Sequence, residues 1–440
     1  MGYIAFARSF YGKKIIRIRD VDQDVTVGAT GSGYTDWYRY PASFLIPEDD
    51  PQYNKEGNTA LGEYGYMLNS RCWSYDVGLA LLVFATSGDF DICIEMLHRM
   101  KEDQNADGSW NFSYDIYIGK LFHDYVRTGA IGWIVWGACY AILQMGTFGD
   151  ESWGFRKMLQ KAGTWLINHQ VTDPSDPRYG LLRGGYGIYN NAYDYTDKDI
   201  EWCSVEHQCS ALQALEGLSL VLKNKRYKEC AELVRDQLYL RCYDKENCRF
   251  FQGINGGKPD EAWALDCTTW AGMLISSVLH SGTAKACLET AKETYLTEGK
   301  PIVQSMAKDY YNQRYYSDRT FSGFKPYSDR TADYAGAPDI VWTEGTLGYA
   351  ALALMLGQPE EAKKYVDECI ELQNCGGSSG GVPYVNATYG MMPWEFHVWE
   401  SVVSSAWLYL IIHNPDVLFP RTLRQVYFMA KITAIEDERP

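Results

Sequence analysis

The sequence predicts an all-α protein, a double ring of six inner and six outer helices (an (α/α)6 toroid) with a short strand-and-loop cap at its N-terminus. Two patterns support this. Helical segments come in pairs joined by short turns, the first member rich in Ala, Gly and Leu on nearly all sides and the second carrying Lys and Glu on one side. Connections from each second member to the next first member are long and hold the Gly, Asp and aromatic residues. Apolar all round is the signature of an enclosed helix and one charged face that of an outer one. Six such pairs close naturally into a ring, with every inner helix starting at the end that carries the long loops.

The pairs are read in order as 75–86 with 90–100, 127–145 with 153–169, 206–222 with 227–240, 265–279 with 284–295, 342–356 with 360–372, and 399–412 with 421–432. Turns at Gly88-Asp89, Gly146 to Asp150 and Gly357-Gln358-Pro359 separate the members. Residues 1–70 have no helical period; 14–19 and 24–27 read as short strands, and 34–40 as an aromatic loop. They are expected to cap one end of a single domain over 71–440.

At 440 residues the chain can bury a large core without disulfides. Its 12 Cys stand singly, with no C-x-x-C pair and no zinc spacing, and are expected to be reduced core thiols of a cytoplasmic protein. With 41 Lys+Arg against 56 Asp+Glu, net −15 and no basic cluster, a nucleic-acid partner is excluded. No uninterrupted run of 18 apolar residues suggests a membrane span, and Met1-Gly2 leads into no apolar signal core. No metal and no cofactor is called for.

Each inner helix begins with an ionisable group: Asp76, Arg127, Glu206, Asp266, Glu344 and Glu400. One acid in a first turn needs no more explanation than the helix dipole, worth about 0.3–1 kcal/mol. Five acids converging on one mouth repel each other and call for a chemical use. Arg127 sits where a cation is unfavourable, so it is expected to pair with a carboxylate or a substrate anion. Aromatics cluster beside these acids, from a total of 34 Tyr, 14 Trp and 16 Phe. Rings stack on sugar C–H faces while polar neighbours bond hydroxyls. Paired carboxylates are what cleavage of a glycosidic bond requires: one protonates the leaving oxygen, the other activates water or attacks.

Glu206 is therefore the expected general acid or base, with Asp76 and Glu344 as candidate partners. Asp115, Asp199, Asp266 and Glu400 are expected to hold hydroxyls or position water. Trp110, Trp202, Trp263, Trp342 and Trp394 are expected to wall the subsites, with His207 and His397 touching substrate. Arg127 or Arg183 would bind the carboxylate of a uronic-acid sugar if the chemistry were lyase or epimerase action instead. An oligosaccharide or polysaccharide is the expected partner. A glycan-binding protein without turnover is the alternative of another class.

The six-pair organisation, with Tyr75-Asp76, Ser204-Val205-Glu206-His207 and Trp342-Thr343-Glu344-Gly345 at helix starts, resembles the six-hairpin glycosidases and their relatives: unsaturated glucuronyl hydrolases, polysaccharide lyases and sugar epimerases. The resemblance covers about 70–415 and implies the toroid and a carbohydrate substrate. Two other toroid families fit less well. Gln104-x-x-x-Gly108-x-Trp110 matches a motif of terpene cyclases but occurs once, and no Cys-His dipeptide supports a lanthionine-cyclase zinc site.

Overall fold

The computed structural model describes residues 40–46, 71–116, 119–120, 125–189, 195–276, 281–300, 303–304, 319–375, 380–391 and 394–419. Eleven α-helices lie in these ranges: α1 (Ser74–Ser87), α2 (Phe90–Asp103), α3 (Thr128–Met145), α4 (Phe155–Asn168), α5 (Val205–Leu222), α6 (Lys225–Cys242), α7 (Leu265–Ser276), α8 (Ser281–Tyr295), α9 (Thr343–Met355), α10 (Pro359–Cys375) and α11 (Val402–His413). The expected returning helix over 421–432 and the strands over 14–19 and 24–27 fall outside the described residues, as does the 34–40 loop apart from Tyr40.

The odd-numbered helices are the inner ring. α1 packs on α3, α3 on α5, α5 on α7, α7 on α9, α9 on α11, and α11 back on α1. That cyclic order closes the (α/α)6 toroid. The even-numbered helices pack outside: α2 and α4 against α3, α6 against α5, α8 against α7 and α9, and α10 against α9. Burial follows the composition. Every residue of α3 from Thr128 to Ile142 is buried, whereas α10 buries only Ala362, Tyr365, Cys369 and Leu372. α3 is also long and apolar enough to cross a membrane by length and composition, but here it is an inner helix enclosed by its neighbours.

Small residues set the spacing of the ring. A Cβ on Gly78 of α1 would lie 2.4 Å from the Trp133 carbonyl oxygen of α3, and one on Gly132 of α3 would lie 2.5 Å from the Ser210 backbone of α5. The axis is filled by indoles from alternate inner helices. Trp133, Trp270 and Trp407 have ring centroids 5.6, 5.8 and 6.2 Å apart, and Tyr75 sits 5.0 Å from Trp133.

The long loops hold more regular structure than the sequence suggested. Each inner helix is entered through a strand or a single bridge, which pairs with a following loop in every case but that of α11. Arg71–Trp73 pairs with Ser113–Asp115, Val126–Arg127 with Gly185–Tyr189, and Cys203–Ser204 with Gly253–Asn255. Bridges join Ala264 to Tyr327 and Trp342 to Val385. Before α11, Glu400–Ser401 pairs with both Val382–Pro383 and Phe44–Leu45. These β-pairings hold the inner N-termini at one end, and residues 44–45 join the ring beside the entry to α11.

Candidate active site

At that end a cavity of about 490 Å³ opens among the inner helix starts. Asp76 from α1, Glu206 from α5 and Glu344 from α9 face it. Its aromatic walls come from Phe44, Trp73, Trp133, Trp202, Tyr384 and Trp399, with Arg127, His207 and His397 completing the lining.

The three acids stand in the first turns of α1, α5 and α9, behind N-cap residues that make no side-chain capping bond, and two of the three are bonded from elsewhere. Tyr75 Oη donates to Glu344 Oε1 at 2.5 Å, across 269 positions of sequence, and accepts from Trp407 Nε1 at 2.8 Å. The Ser43 hydroxyl bonds Asp76, whose Oδ1 is buried without a partner. No described residue donates a hydrogen bond to the Glu206 carboxyl. Asp266, expected to hold a hydroxyl or position water, does not line the cavity: it lies beside Glu206 and turns one oxygen to the Cys267 N–H at 2.8 Å.

Those surroundings set the protonation states. Burial pushes Asp76 up to about 7. Burial, then repulsion by Asp266, pushes Glu206 up to about 8. Burial raises Glu344 well above the usual carboxylate range; the Tyr75 phenol favours the anion and opposes the rise, while repulsion by Asp266, Asp76 and Glu206 adds to it. Burial, reinforced by Arg127, lowers His207 to about 3, so its imidazole is neutral at any working pH. Its Nδ1 is buried with no partner.

Of the residues expected at the site, Asp76, Glu206, Glu344, Arg127, Trp202, His207 and His397 line the cavity. Others do not, for identifiable reasons. Trp110 is fully buried and donates to the Met100 carbonyl at 2.7 Å, so it is core. Trp263 is buried beneath the guanidinium groups of Arg249 and Arg330. Trp342 packs its ring against Gly345 in its own helix's first turn. Asp115 sits in a strand opposite Arg71, Asp199 is exposed on a strand, and Glu400 lies buried in the strand before α11. Trp394 begins the strand Trp394–Phe396; its side chain is outside the described residues.

Both arginines also differ from expectation. Arg127 precedes α3 in extended conformation, and its Nη1 donates to the carbonyls of Val126, Tyr186 and Gly187 rather than to a carboxylate. Its guanidinium lies 3.7 Å over the Tyr125 ring. Arg183 faces Glu201 and the Asn168 carbonyl. Sequence reasoning missed Ser43, Phe44, Tyr75, Trp133, Tyr384 and Trp399 as lining residues. Only Tyr75 carried a signal, as the neighbour of Asp76 at a helix start.

The cyclic packing of six helical hairpins has counterparts among solved structures. A glycosidase variant in complex with glucose superposes with a TM-score of 0.50 at 10% identity, over 80% of this chain and 89% of that one. The chain shares the fold of that glycosidase. A D-mannose isomerase matches with a TM-score of 0.49 at 11% identity over 78% of this chain and 88% of its own. A GH76 alpha-mannanase of Bacteroides thetaiotaomicron gives 0.47 at 10% identity over 79% and 87%. No sequence-family profile and no curated protein sequence matches the chain.

Proposed function

We propose that the protein is a carbohydrate-active enzyme that hydrolyses a glycosidic bond of a neutral sugar. The observation that carries this reading is the convergence of Asp76, Glu206 and Glu344, from three separate inner helices, on one aromatic-walled cavity. Hydrolysis needs one carboxyl that is protonated and one that is not. Glu206 suits the acid: it is desolvated, repelled by Asp266 and held by no donor. Burial holds Glu344 well above the usual carboxylate range, but the Tyr75 phenol favours its anion, and we assign it the base, with Asp76, raised to about 7, as the second candidate.

In the reaction Glu206 gives its proton to the glycosidic oxygen as the bond from that oxygen to the anomeric carbon breaks. A water oxygen bonds to the anomeric carbon and its surplus proton goes to Glu344. Glu206 regains a proton from solvent and Glu344 releases one. Aromatic walls hold the sugar faces, and neutral His207 offers a hydrogen bond to a hydroxyl.

Lyase or epimerase action on a uronic-acid sugar is less well supported. Carboxyls dominate the cavity, Arg127 is anchored on backbone carbonyls, and Arg183 is directed to Glu201. An imidazole lowered to about 3 is also a poor base at neutral pH. A glycosidase of the same fold holding glucose agrees with the neutral-sugar reading. The test is product analysis on a panel of neutral oligosaccharides, uronic-acid oligosaccharides and free aldoses. Release of new reducing ends from a neutral member is expected. An unsaturated uronate, or interconversion of free aldoses without hydrolysis, would overturn the proposal. Binding without turnover would identify a lectin-like protein.

A further inference from the structure

The entry strand of α5 borders a second cavity. Gly253–Asn255 and Lys258–Asp260 form a hairpin whose turn needs positive φ at Gly256 (55°) and Gly257 (77°), and its first strand pairs with Cys203–Ser204. Between this hairpin and the start of α5 lies a space of about 250 Å³. Trp202, Glu206 and His207 line both this space and the larger cavity, so the partition between the two is the first turn of α5 and the residue before its entry strand.

The second cavity differs in character from the first. Its other walls include Ser204, Gln252, Asn255 and Asp260, amide, hydroxyl and carboxylate groups in place of rings. His207, only 7% exposed, carries an unpartnered Nδ1 at the partition. A buried ring nitrogen without a partner is costly, and a ligand hydroxyl would satisfy it. Asn255 is exposed at the hairpin end, and no described group bonds its side-chain amide.

We infer that the second cavity is the subsite for the sugar on the other side of the scissile bond, held by hydrogen bonds of its hydroxyls with the Asn255 amide and to the Asp260 carboxylate rather than by stacking. This rests on the glycosidase reading above. The smallest substrate that fills both spaces is then a disaccharide, with its linking oxygen passing Glu206, the acid common to both. An apolar aglycone gains little, because the walls offer polar groups and no ring beyond Trp202.

The test uses the full chain carrying Glu206→Gln, which binds without turning over. Calorimetric titrations employ glucose, maltose and maltotriose, and mannose with its α-linked di- and trisaccharides. In the series that binds, the disaccharide is expected to bind at least about ten-fold more tightly than the monosaccharide, a difference of about 1.4 kcal/mol. Adding Asn255→Ala or Asp260→Asn should remove most of that gain and leave monosaccharide affinity unchanged. Equal affinity for mono- and disaccharide, or an equal loss for both in the hairpin variants, would overturn the subsite. If no member binds either this protein or the wild type, the carbohydrate reading itself fails, a different result from loss of the disaccharide preference alone.

Discussion

Two side chains beside the acids control opposite limbs of the pH profile. Asp266 repels the ionised form of Glu206, so Asp266→Asn should lower the Glu206 pKa from about 8 and bring the alkaline limb of kcat/KM to lower pH. Tyr75 stabilises ionised Glu344, so Tyr75→Phe should raise the pH at which that base ionises and move the acidic limb upward. It also leaves the buried Trp407 Nε1 without an acceptor, at a cost of about 1–3 kcal/mol in chemical denaturation. An unshifted alkaline limb in the first variant would detach Asp266 from the mechanism, and an unshifted acidic limb in the second would remove Glu344 as the base. The acids at the cavity were legible in sequence because a carboxyl in the first turn of an apolar helix is conspicuous. Ser43, Trp133 and Tyr384 were not, because a residue in an extended loop or mid-helix shows its direction only after the ring has closed.

Among the elements, the inner helices were readable to within a residue or two at most of their starts. Their composition departs so far from that of the outer helices that α3 and α4, or α9 and α10, cannot be exchanged. The entry strands were invisible, since stretches of two or three residues such as Cys203–Ser204 and Glu400–Ser401 carry no period. That is why Arg127 was assigned to a helix and a charge partner, when it belongs to a strand and bonds carbonyls. The glycine contacts yield an element-scale prediction. Gly132→Ala places a methyl against the Ser210 backbone and should destabilise the chain by about 1–3 kcal/mol, as read from its denaturant midpoint. Exposed Gly282, with open space around it, should tolerate the same change within about 0.5 kcal/mol in either direction. Equal effects at the two positions would contradict the close packing of α3 on α5.

At the scale of the whole molecule, the ring gathers acids that a linear chain would keep apart, and stability should register the cost. Asp76 (about 7 against 3.8) and Glu206 (about 8 against 4.5) hold protons in the folded chain that the unfolded chain has released. Their contribution is therefore complete below about pH 4 and is lost as pH rises toward 8. His207, lowered from 6.5 to about 3, works the other way, but only between those two values. From pH 6.5 to 8 the carboxyls alone of these groups set the slope, so Tm should fall over that interval, and Glu206→Gln should flatten the fall. An unchanged slope in the variant would mean that Glu206 is solvated and ordinary. Toroid closure was legible from the recurring pairs, whereas the depth of the cavity depends on the indole-filled axis and the loop pairings, which no local pattern specifies.

The central claim is that Glu206 donates the proton in a hydrolysis. Its most direct test is the rate and the affinity of Glu206→Gln on the neutral oligosaccharide that the wild-type protein cleaves. The amide keeps the size of the side chain and cannot supply a proton, so turnover should fall by about 10²–10⁴-fold with dissociation constants close to wild type. Turnover near the wild-type rate, or a loss of affinity as large as the loss of rate, would contradict the assignment.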